Sequence, residues 1–342
     1  MFVIASGTKQ SQGHNLESLT LSLLEKLTTP GNRLSWIKTW LSEEVWSASK
    51  YEALGHSEYL KKGEEAVNKF ESLIAASADR VYQELLSVSD KDKSLLSVLS
   101  DSNTAVVVFD GLSLRELPII QKLSDRSGFK AGSIDCAQAA VPCETMDYIE
   151  RELPCGRLGP SQLPGRRELR EKGFAAVYTN DPTQRINQPD ENSALLVWSA
   201  FPDNTYRDSG ARFESHFENI HMQFETAWMN TVQQIKGKKR IIITSDHGYI
   251  FFGTGMDFPR SGQELRELND YFGNDRFAYL SDKPKPPQSD DIVIHEVKQL
   301  AMIKGRIKTR STGEAAVKLY KHGGLSLMEM LTPWVVLEKH EV

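Results

Sequence analysis

The sequence predicts an α/β protein in which a mostly parallel sheet lies between helical layers, preceded by an α-helical N-terminal region. From about Thr104 onward, short continuous apolar runs alternate with stretches of helical periodicity. Continuous apolar strands flanked by helices are typical of a parallel sheet covered on both faces. Before that point apolar residues recur at helical spacing, and no run is convincing as a strand. We therefore predict two parts, a helical region at 1–100 and an α/β domain at 101–342.

The individual elements follow from the same periodicities. In the first part, helices are predicted at 16–27, where Pro30-Gly31 ends the segment, at 34–46 and within 62–99. In the second part, apolar runs predict strands at 105–109, 131–134, 175–178, 194–198, 240–244, 277–280 and 333–337. Helices are predicted between them, among others at 114–123 and 213–235.

Composition restricts the class of protein. The 342 residues are 39% hydrophobic and 25% charged, as in ordinary globular proteins. No apolar run approaches the roughly 18 residues of a membrane helix, so no membrane partner is expected. The first 13 residues lack the basic and apolar segments of a secretory signal. Three cysteines without a close pair argue against a disulfide framework and predict a reducing, cytoplasmic setting.

The formal net charge is −5, so the overall charge does not favour nucleic-acid binding. One basic cluster is nevertheless of interest, since Lys304, Arg306, Lys308 and Arg310 alternate along the chain. On a strand this alternation places four cations on one face. The cluster could be an ordinary solvated edge or loop, or, on a strand, a face that guides a polyanion such as nucleic acid.

Acidic residues and histidines follow several of the predicted strands. Asp110, Asp203 and the adjacent pair Asp246-His247 all come at or just after strand ends, where open parallel sheets bind their ligands. A buried aspartate needs a partner to offset its desolvation, and a divalent cation supplies one. His322, before two glycines, is a further candidate. Together these residues predict one metal site at the rim of the sheet.

The carboxyl group of Asp110 and the hydroxyl group of Thr145 each have two interpretations. Asp110 could cap the helix that follows Gly111, but Ser113 competes for that role. Thr145, before a predicted helix, could be a simple cap. It could equally be a nucleophile, because a metal ion lowers the pKa of a bound hydroxyl and the helix dipole favours the anion. The residues alone leave both alternatives for Thr145 open.

Four short motifs together resemble the PglZ family of the alkaline phosphatase superfamily. They are Phe109-Asp110-Gly111, a Pro-x-x-Thr ending at Thr145, Thr244-Ser245-Asp246-His247-Gly248, and Lys321-His322-Gly323-Gly324 followed by Leu325-Ser326-Leu327-Met328-Glu329. They occur in the family's order and spacing, and the resemblance covers roughly 104–342. It implies an alkaline phosphatase-like core.

The resemblance also implies a two-metal phosphotransfer site, usually with zinc, although manganese would suit a site rich in aspartate. By analogy, Asp110, Thr145, Asp246 and His247 would hold the first metal, with Thr145 as the nucleophile. His322 and Asp203 would belong to the second metal.

One position departs from the superfamily pattern. A histidine often follows the second-metal aspartate by four residues, whereas this chain has Arg207 there. His216 or His221 on the next helix could replace it, and His216 is the better candidate because His221 shares a face with Phe217, Phe224 and Trp228. Arg207 could instead clamp a non-bridging phosphate oxygen of the substrate.

The leading functional prediction is a metal-dependent phosphodiesterase or phosphatase acting on nucleotides or nucleic acid. The family's association with bacteriophage-resistance systems and signalling proteins implies such substrates and protein partners in a defence system. The alternative is a catalytically weak scaffold in a multiprotein defence complex, with the N-terminal helices as its docking surface. Arg207 favours the scaffold, whereas the intact Asp110, Thr145, Asp246-His247 and His322 oppose it.

Overall fold

A six-stranded sheet forms the centre of the molecule. The structure is a computed structural model, and it describes residues 25, 27, 33–77, 79–87, 91–205, 213–252, 256–309 and 320–339. The strands of this sheet are β1 (Thr104–Phe109), β2 (Phe129–Gln138), β3 (Phe174–Thr179), β4 (Ala194–Ser199), β5 (Arg240–Thr244) and the last strand, β11 (Leu331–Lys339).

The sheet is parallel except for its last strand. Its order is β2-β11-β5-β1-β4-β3. Strand β1 pairs in parallel with both β4 and β5, and β3 pairs in parallel with β4. Strand β11 runs antiparallel to β5 and β2. The predicted fold class, a mostly parallel sheet with helices and a helical N-terminal region, is confirmed.

Side chains alternate between two apolar layers, as the period of a strand requires. Val107 and Ile243 belong to a layer shared with the N-terminal helices, whereas Val106 and Ile242 belong to a second layer on the opposite face. All six residues of β1 are buried. Burial on both faces explains why these strands are continuous apolar runs in the sequence.

Helices cover both faces. The α-helices are α1 (Arg33–Thr39), α2 (Ala48–Leu54), α3 (His56–Ser77), α4 (Asp79–Ser87), α5 (Leu95–Val98), α6 (Leu117–Arg126), α7 (Thr145–Glu152), α8 (Arg167–Glu171), α9 (Phe213–Asn230), α10 (Gly262–Phe272) and α11 (Leu327–Met330). Shorter 3₁₀ or π turns lie at Trp40–Val45, Lys91–Lys93, Leu114–Glu116, Pro160–Gln162, Asp203–Thr205 and Val232–Gln234. The helix predicted at 16–27 lies almost wholly outside the described residues. No helix in the described ranges is both long and apolar enough to cross a membrane.

A small antiparallel sheet corrects one strand assignment. The predicted strand at 277–280 is observed as β7 (Phe277–Tyr279), but it does not join the central sheet. It pairs with β9 (Leu300–Ile303), which also pairs with β8 (Ile292–His295). This sheet packs with α10 around its own apolar cluster. A two-stranded antiparallel pair, β6 (Ile250–Phe251) with β10 (Tyr320–Lys321), lies elsewhere in the chain.

The prediction of an exposed basic face at 304–310 is wrong. Lys304 forms an isolated bridge to Leu325, and the residues after it are not a strand. Lys304, Arg306 and Lys308 are buried, with exposures of 3%, 0% and 7%. Lys308 Nζ lies 2.9 Å from a carboxylate oxygen of Asp257. Arg310 lies outside the described residues. Lys304, Arg306 and Lys308 therefore lie in the interior and do not form an exposed basic face.

Arg306 belongs to a buried ion network that ties the helical layer to the α/β domain. Glu64 on α3 accepts from Arg115 Nε at 2.5 Å and from Arg306 Nη1 at 2.6 Å. All three side chains are fully buried. On the same helix, Glu71 accepts from the backbone N–H of Leu327 at 2.7 Å. Because these charged side chains are removed from water, each depends on an oppositely charged partner to offset the cost of its desolvation.

Candidate metal centre

The first carboxylate of the site is Asp110, directly after β1. Ser113 caps the following turn, since its hydroxyl accepts from Arg115 N and its N–H donates to Glu116. The capping alternative for Asp110 is therefore not realised. Its side chain is buried, and Trp198 Nε1 donates to Asp110 Oδ2 at 3.4 Å.

Asp246 and His247 follow β5, the neighbour of β1, and both are completely buried. The N–H of Gly111 donates to Asp246 Oδ1 at 3.1 Å, which fixes this carboxylate beside the end of β1. The next residue has to be glycine, because a Cβ on Gly248 would lie 2.2 Å from the backbone oxygen of Met328. The close approach of these two backbone segments holds the Asp-His pair in place.

The orientation of His247 indicates a cation. Its Nδ1 lies 3.0 Å from the carbonyl oxygen of Gly248, so Nδ1 carries a hydrogen and Nε2 is the nitrogen that faces the carboxylates. Nε2 is buried and has no hydrogen-bond partner among the described residues. It lies 3.5 Å from Asp110 Oδ1 and 3.6 Å from Asp246 Oδ2. Two buried carboxylates facing this nitrogen require a positive charge, which a bound cation or a proton on Nε2 would supply.

The electrostatics of Asp110 agree with this interpretation. Burial raises the pKa of its carboxyl well above the usual value, and the neighbouring charges of Asp246 and Asp203 raise it further. A divalent ion would remove that penalty, because it stabilises the ionised carboxylates. Ligand atoms of Asp110, Asp246 and His247 all lie within 4.8 Å of one another, so the donor set fits a divalent metal.

Thr145 lies against this set as the first residue of α7. Its hydroxyl is 2.6 Å from Asp246 Oδ2 and 3.5 Å from Asp110 Oδ1. The residue at the capping position is Glu144, whose side chain makes no capping hydrogen bond. Of the two alternatives for Thr145, capping is therefore not observed, and its hydroxyl lies instead against the carboxylates of Asp246 and Asp110.

A second donor set lies beside the first. Ligand atoms of Asp203, His247 and His322 also fall within 4.8 Å of one another. His322 Nε2 is 3.8 Å from Asp203 Oδ1, and the rings of His247 and His322 stack with centroids 4.0 Å apart. Burial lowers the pKa of His322, but the hydrogen bond and charge of Glu144 and the charge of Asp203 outweigh it and raise the pKa to about 10.

The structure does not bring His216 together with these donors. Its buried ring stacks on Tyr320 at 3.9 Å, and it belongs to neither donor set. Burial lowers the pKa of His216 to about 4, with a further contribution from the charge of Arg115. The other candidate, His221, has its ring 5.4 Å from that of His56. Arg207 lies outside the described residues, so its predicted role as a clamp stays a prediction.

Sequence reasoning missed Glu144. Its carboxylate Oε1 lies 3.2 Å from His322 Nδ1, and the carbonyl oxygen of Cys143 lies 3.0 Å from the same nitrogen. The signal available in the sequence was position alone, because Glu144 directly precedes Thr145. Glu144 also lines a cleft of about 260 Å³ beside the site, together with Asp203, Phe277, Lys321 and His322. Two residues of the second donor set, Asp203 and His322, therefore face this cleft.

Comparisons with protein-family models and with curated proteins give no match. Among solved structures, phosphonoacetate hydrolase from Sinorhizobium meliloti 1021 in complex with phosphonoacetate is 12% identical, with a TM-score of 0.41, over 68% of this chain and 89% of that one. Human ectonucleotide pyrophosphatase/phosphodiesterase 5 is 11% identical, with a TM-score of 0.40, over 68% and 87% of the two chains. Similarity at this level does not establish a family, and the chemistry rests on the side chains of this chain.

Proposed function

We propose that this protein is a metal-dependent phosphoester hydrolase with Thr145 as its nucleophile. The observation that carries the proposal is the position of the Thr145 hydroxyl, 2.6 Å from Asp246 Oδ2. In the same set His247 Nε2 is buried and has no hydrogen-bond partner in the part of the chain that the structure describes. A hydroxyl among carboxylates and an imidazole is the arrangement expected of an activated nucleophile at a metal.

Asp110, Thr145, Asp246 and His247 would hold one divalent ion, and Asp203 with His322 would hold a second. Such ions, when bound, would lower the pKa of the hydroxyl and neutralise charge on the phosphoryl oxygens. Thr145 Oγ1 would lose its proton to water and attack phosphorus, and the bond from phosphorus to the leaving oxygen would break. Its position at the start of α7 favours the alkoxide through the helix dipole. Water would then hydrolyse the phosphothreonine and restore the hydroxyl.

For the identity of the substrate and the metal, the support is the resemblance to the PglZ family. It favours zinc, nucleotide or nucleic-acid phosphodiesters, and a role in bacteriophage defence. The burial of Lys304, Arg306 and Lys308 removes one argument for a long polyanion. Small phosphodiesters and nucleotides therefore come first in a substrate screen.

The test begins with metal content. Protein purified without a histidine tag would be stripped, reloaded with zinc or manganese, and measured by mass spectrometry. Bis(p-nitrophenyl) phosphate and p-nitrophenyl phosphate would then be assayed with wild type, Thr145→Ser and Thr145→Ala. We expect metal-dependent turnover that is reduced in the serine variant and lost in the alanine variant. Metal-loaded protein without turnover, or full activity in Thr145→Ala, would contradict the proposal.

A second candidate is a PglZ-type scaffold with weak or no catalysis. The observation that favours it is Arg207, at the position where the superfamily often has a histidine. For a scaffold we expect one bound ion or none, no turnover with either ester, and association with other proteins of a defence complex. Two ions per chain together with turnover would exclude it.

A further inference from the structure

Glu144 contacts the histidine of the second donor set and directly precedes the candidate nucleophile. Its Oε1 lies 3.2 Å from His322 Nδ1, on the side of the ring away from Asp203. The Cys143 carbonyl oxygen lies 3.0 Å from the same nitrogen. Both neighbours are acceptors, so Nδ1 carries a hydrogen whether or not Nε2 is also protonated. Nε2 is thereby left as the nitrogen that faces Asp203.

We propose that Glu144 is the positioning residue that orients His322 for the second metal. This inference rests on the proposed function and adds to it a residue outside the two donor sets. A histidine that binds a metal through one nitrogen commonly donates its other N–H to a carboxylate or a backbone carbonyl, and this contact fixes the ring. Here a carboxylate and a carbonyl from consecutive residues supply that contact.

The backbone around His322 is shaped to admit this carboxylate. Gly323 has a φ of +100°, and a Cβ there would lie 2.9 Å from Glu144 Oε1 and 3.1 Å from Phe277. A larger residue would therefore displace Glu144 from the imidazole. The thiol of Cys143 also contacts this loop, with Sγ 3.1 Å from the carbonyl oxygen of Gly324. The glycine after His322 is thus required by the contact that orients it.

The segment that carries Glu144 is anchored at its other end. Lys298 Nζ donates to the carbonyl oxygen of Val141 at 2.5 Å. At its C-terminal end, Thr145 is held by Asp246 at 2.6 Å. Glu144 therefore lies between two fixed points, and the orientation of His322 is tied to the same short segment that presents the hydroxyl.

The test compares Glu144→Ala and Glu144→Gln with the control Asp147→Asn. Asp147 is a carboxylate on α7 that pairs with Arg157 at 2.6 Å and does not contact His322. Full-length protein would be stripped of metal and titrated with cobalt, with visible absorption reporting each bound equivalent and mass spectrometry reporting stoichiometry. Thermal melts would show that each variant is folded.

We expect Glu144→Ala to bind the first equivalent as wild type does and the second about 10- to 100-fold more weakly. Glu144→Gln, which keeps an acceptor oxygen, should recover part of that affinity, and Asp147→Asn should match wild type. Equal binding of both equivalents by Glu144→Ala and wild type would overturn this inference and leave the proposed function standing. An equal loss in Asp147→Asn would overturn it as well. A wild-type protein that binds no metal would overturn both.

Discussion

Replacing Glu64 with glutamine should destabilise the folded protein by about 3 kcal/mol at neutral pH. Burial raises the pKa of Glu64, but the charges and hydrogen bonds of Arg115 and Arg306 outweigh it and lower the pKa from 4.5 to about 2. Each tenfold change in a protonation equilibrium corresponds to about 1.4 kcal/mol, so the ionised form is favoured by about 3 kcal/mol on folding. Removing one partner of a buried ion pair typically costs about 3–5 kcal/mol, which agrees.

The free energy of unfolding would be measured by urea denaturation for wild type, Glu64→Gln and the control Glu65→Gln. Glu65 is the next residue on α3 and is exposed, so its replacement should change stability by no more than about 0.5 kcal/mol. If Glu64→Gln loses a free energy of unfolding within about 1 kcal/mol of the loss in that control, the guanidinium groups of Arg115 and Arg306 do not depend on this carboxylate, and the prediction is wrong.

The pH dependence gives an independent check on the same contact. Because the folded-state pKa of Glu64 lies below its unfolded value, its contribution is fully present above about pH 4.5 and is lost as the pH falls toward 2. The difference in stability between wild type and Glu64→Gln should therefore shrink as the pH is lowered from about 5 to about 3. A difference that is constant over this range would show that packing, and not charge, causes the loss.

Three further predictions concern the candidate metal centre. Thr145→Ala should lower turnover of the best phosphoester by at least about a thousandfold while the protein still binds metal, as steady-state kinetics and mass spectrometry would show. Removal of metal by a chelator should lower the melting temperature. It should also change the fluorescence of Trp198, because Trp198 Nε1 donates to Asp110. A Trp198→Phe variant should lose that part of the fluorescence change. Gly248→Ala should destabilise the protein by about 1–3 kcal/mol and weaken metal binding, whereas the control Gly159→Ala, where a Cβ meets no atom within 4 Å, should do neither.

The central sheet was predictable because its signal is local. Strands β1, β4 and β5 are buried, mostly apolar runs, and β5 is predicted with its observed bounds. The strand at 277–280 was assigned to the wrong sheet, because an apolar run reports burial and does not report which strand it pairs with. Pairing of β7 with β9 depends on tertiary contacts that no local pattern contains.

The sequence predicts the candidate ligand residues of the site, but it does not predict the contacts that these residues make. Asp110, Asp203, Asp246, His247 and His322 were singled out because strand ends collect functional side chains, and the structure brings their ligand atoms together in two sets. The sequence could not show that the Thr145 hydroxyl lies against Asp246, because Asp246 is 101 residues further along the chain.

Charge was the least informative signal. Alternating cations from Lys304 to Arg310 suggested an exposed strand, but Arg306 pairs with Glu64, 242 residues away in sequence. A cation in a sequence does not show whether a distant carboxylate compensates it. Glu144 was missed for the same reason, because its importance depends on the nearby ring of His322.

The stacked rings of His247 and His322 determine how the two donor sets can change. With centroids 4.0 Å apart and an angle of 12° between the planes, neither ring can tilt far without displacing the other. Rotation of one imidazole therefore displaces the other. A ligand in the cleft that rotates His322 should therefore also alter the geometry around His247.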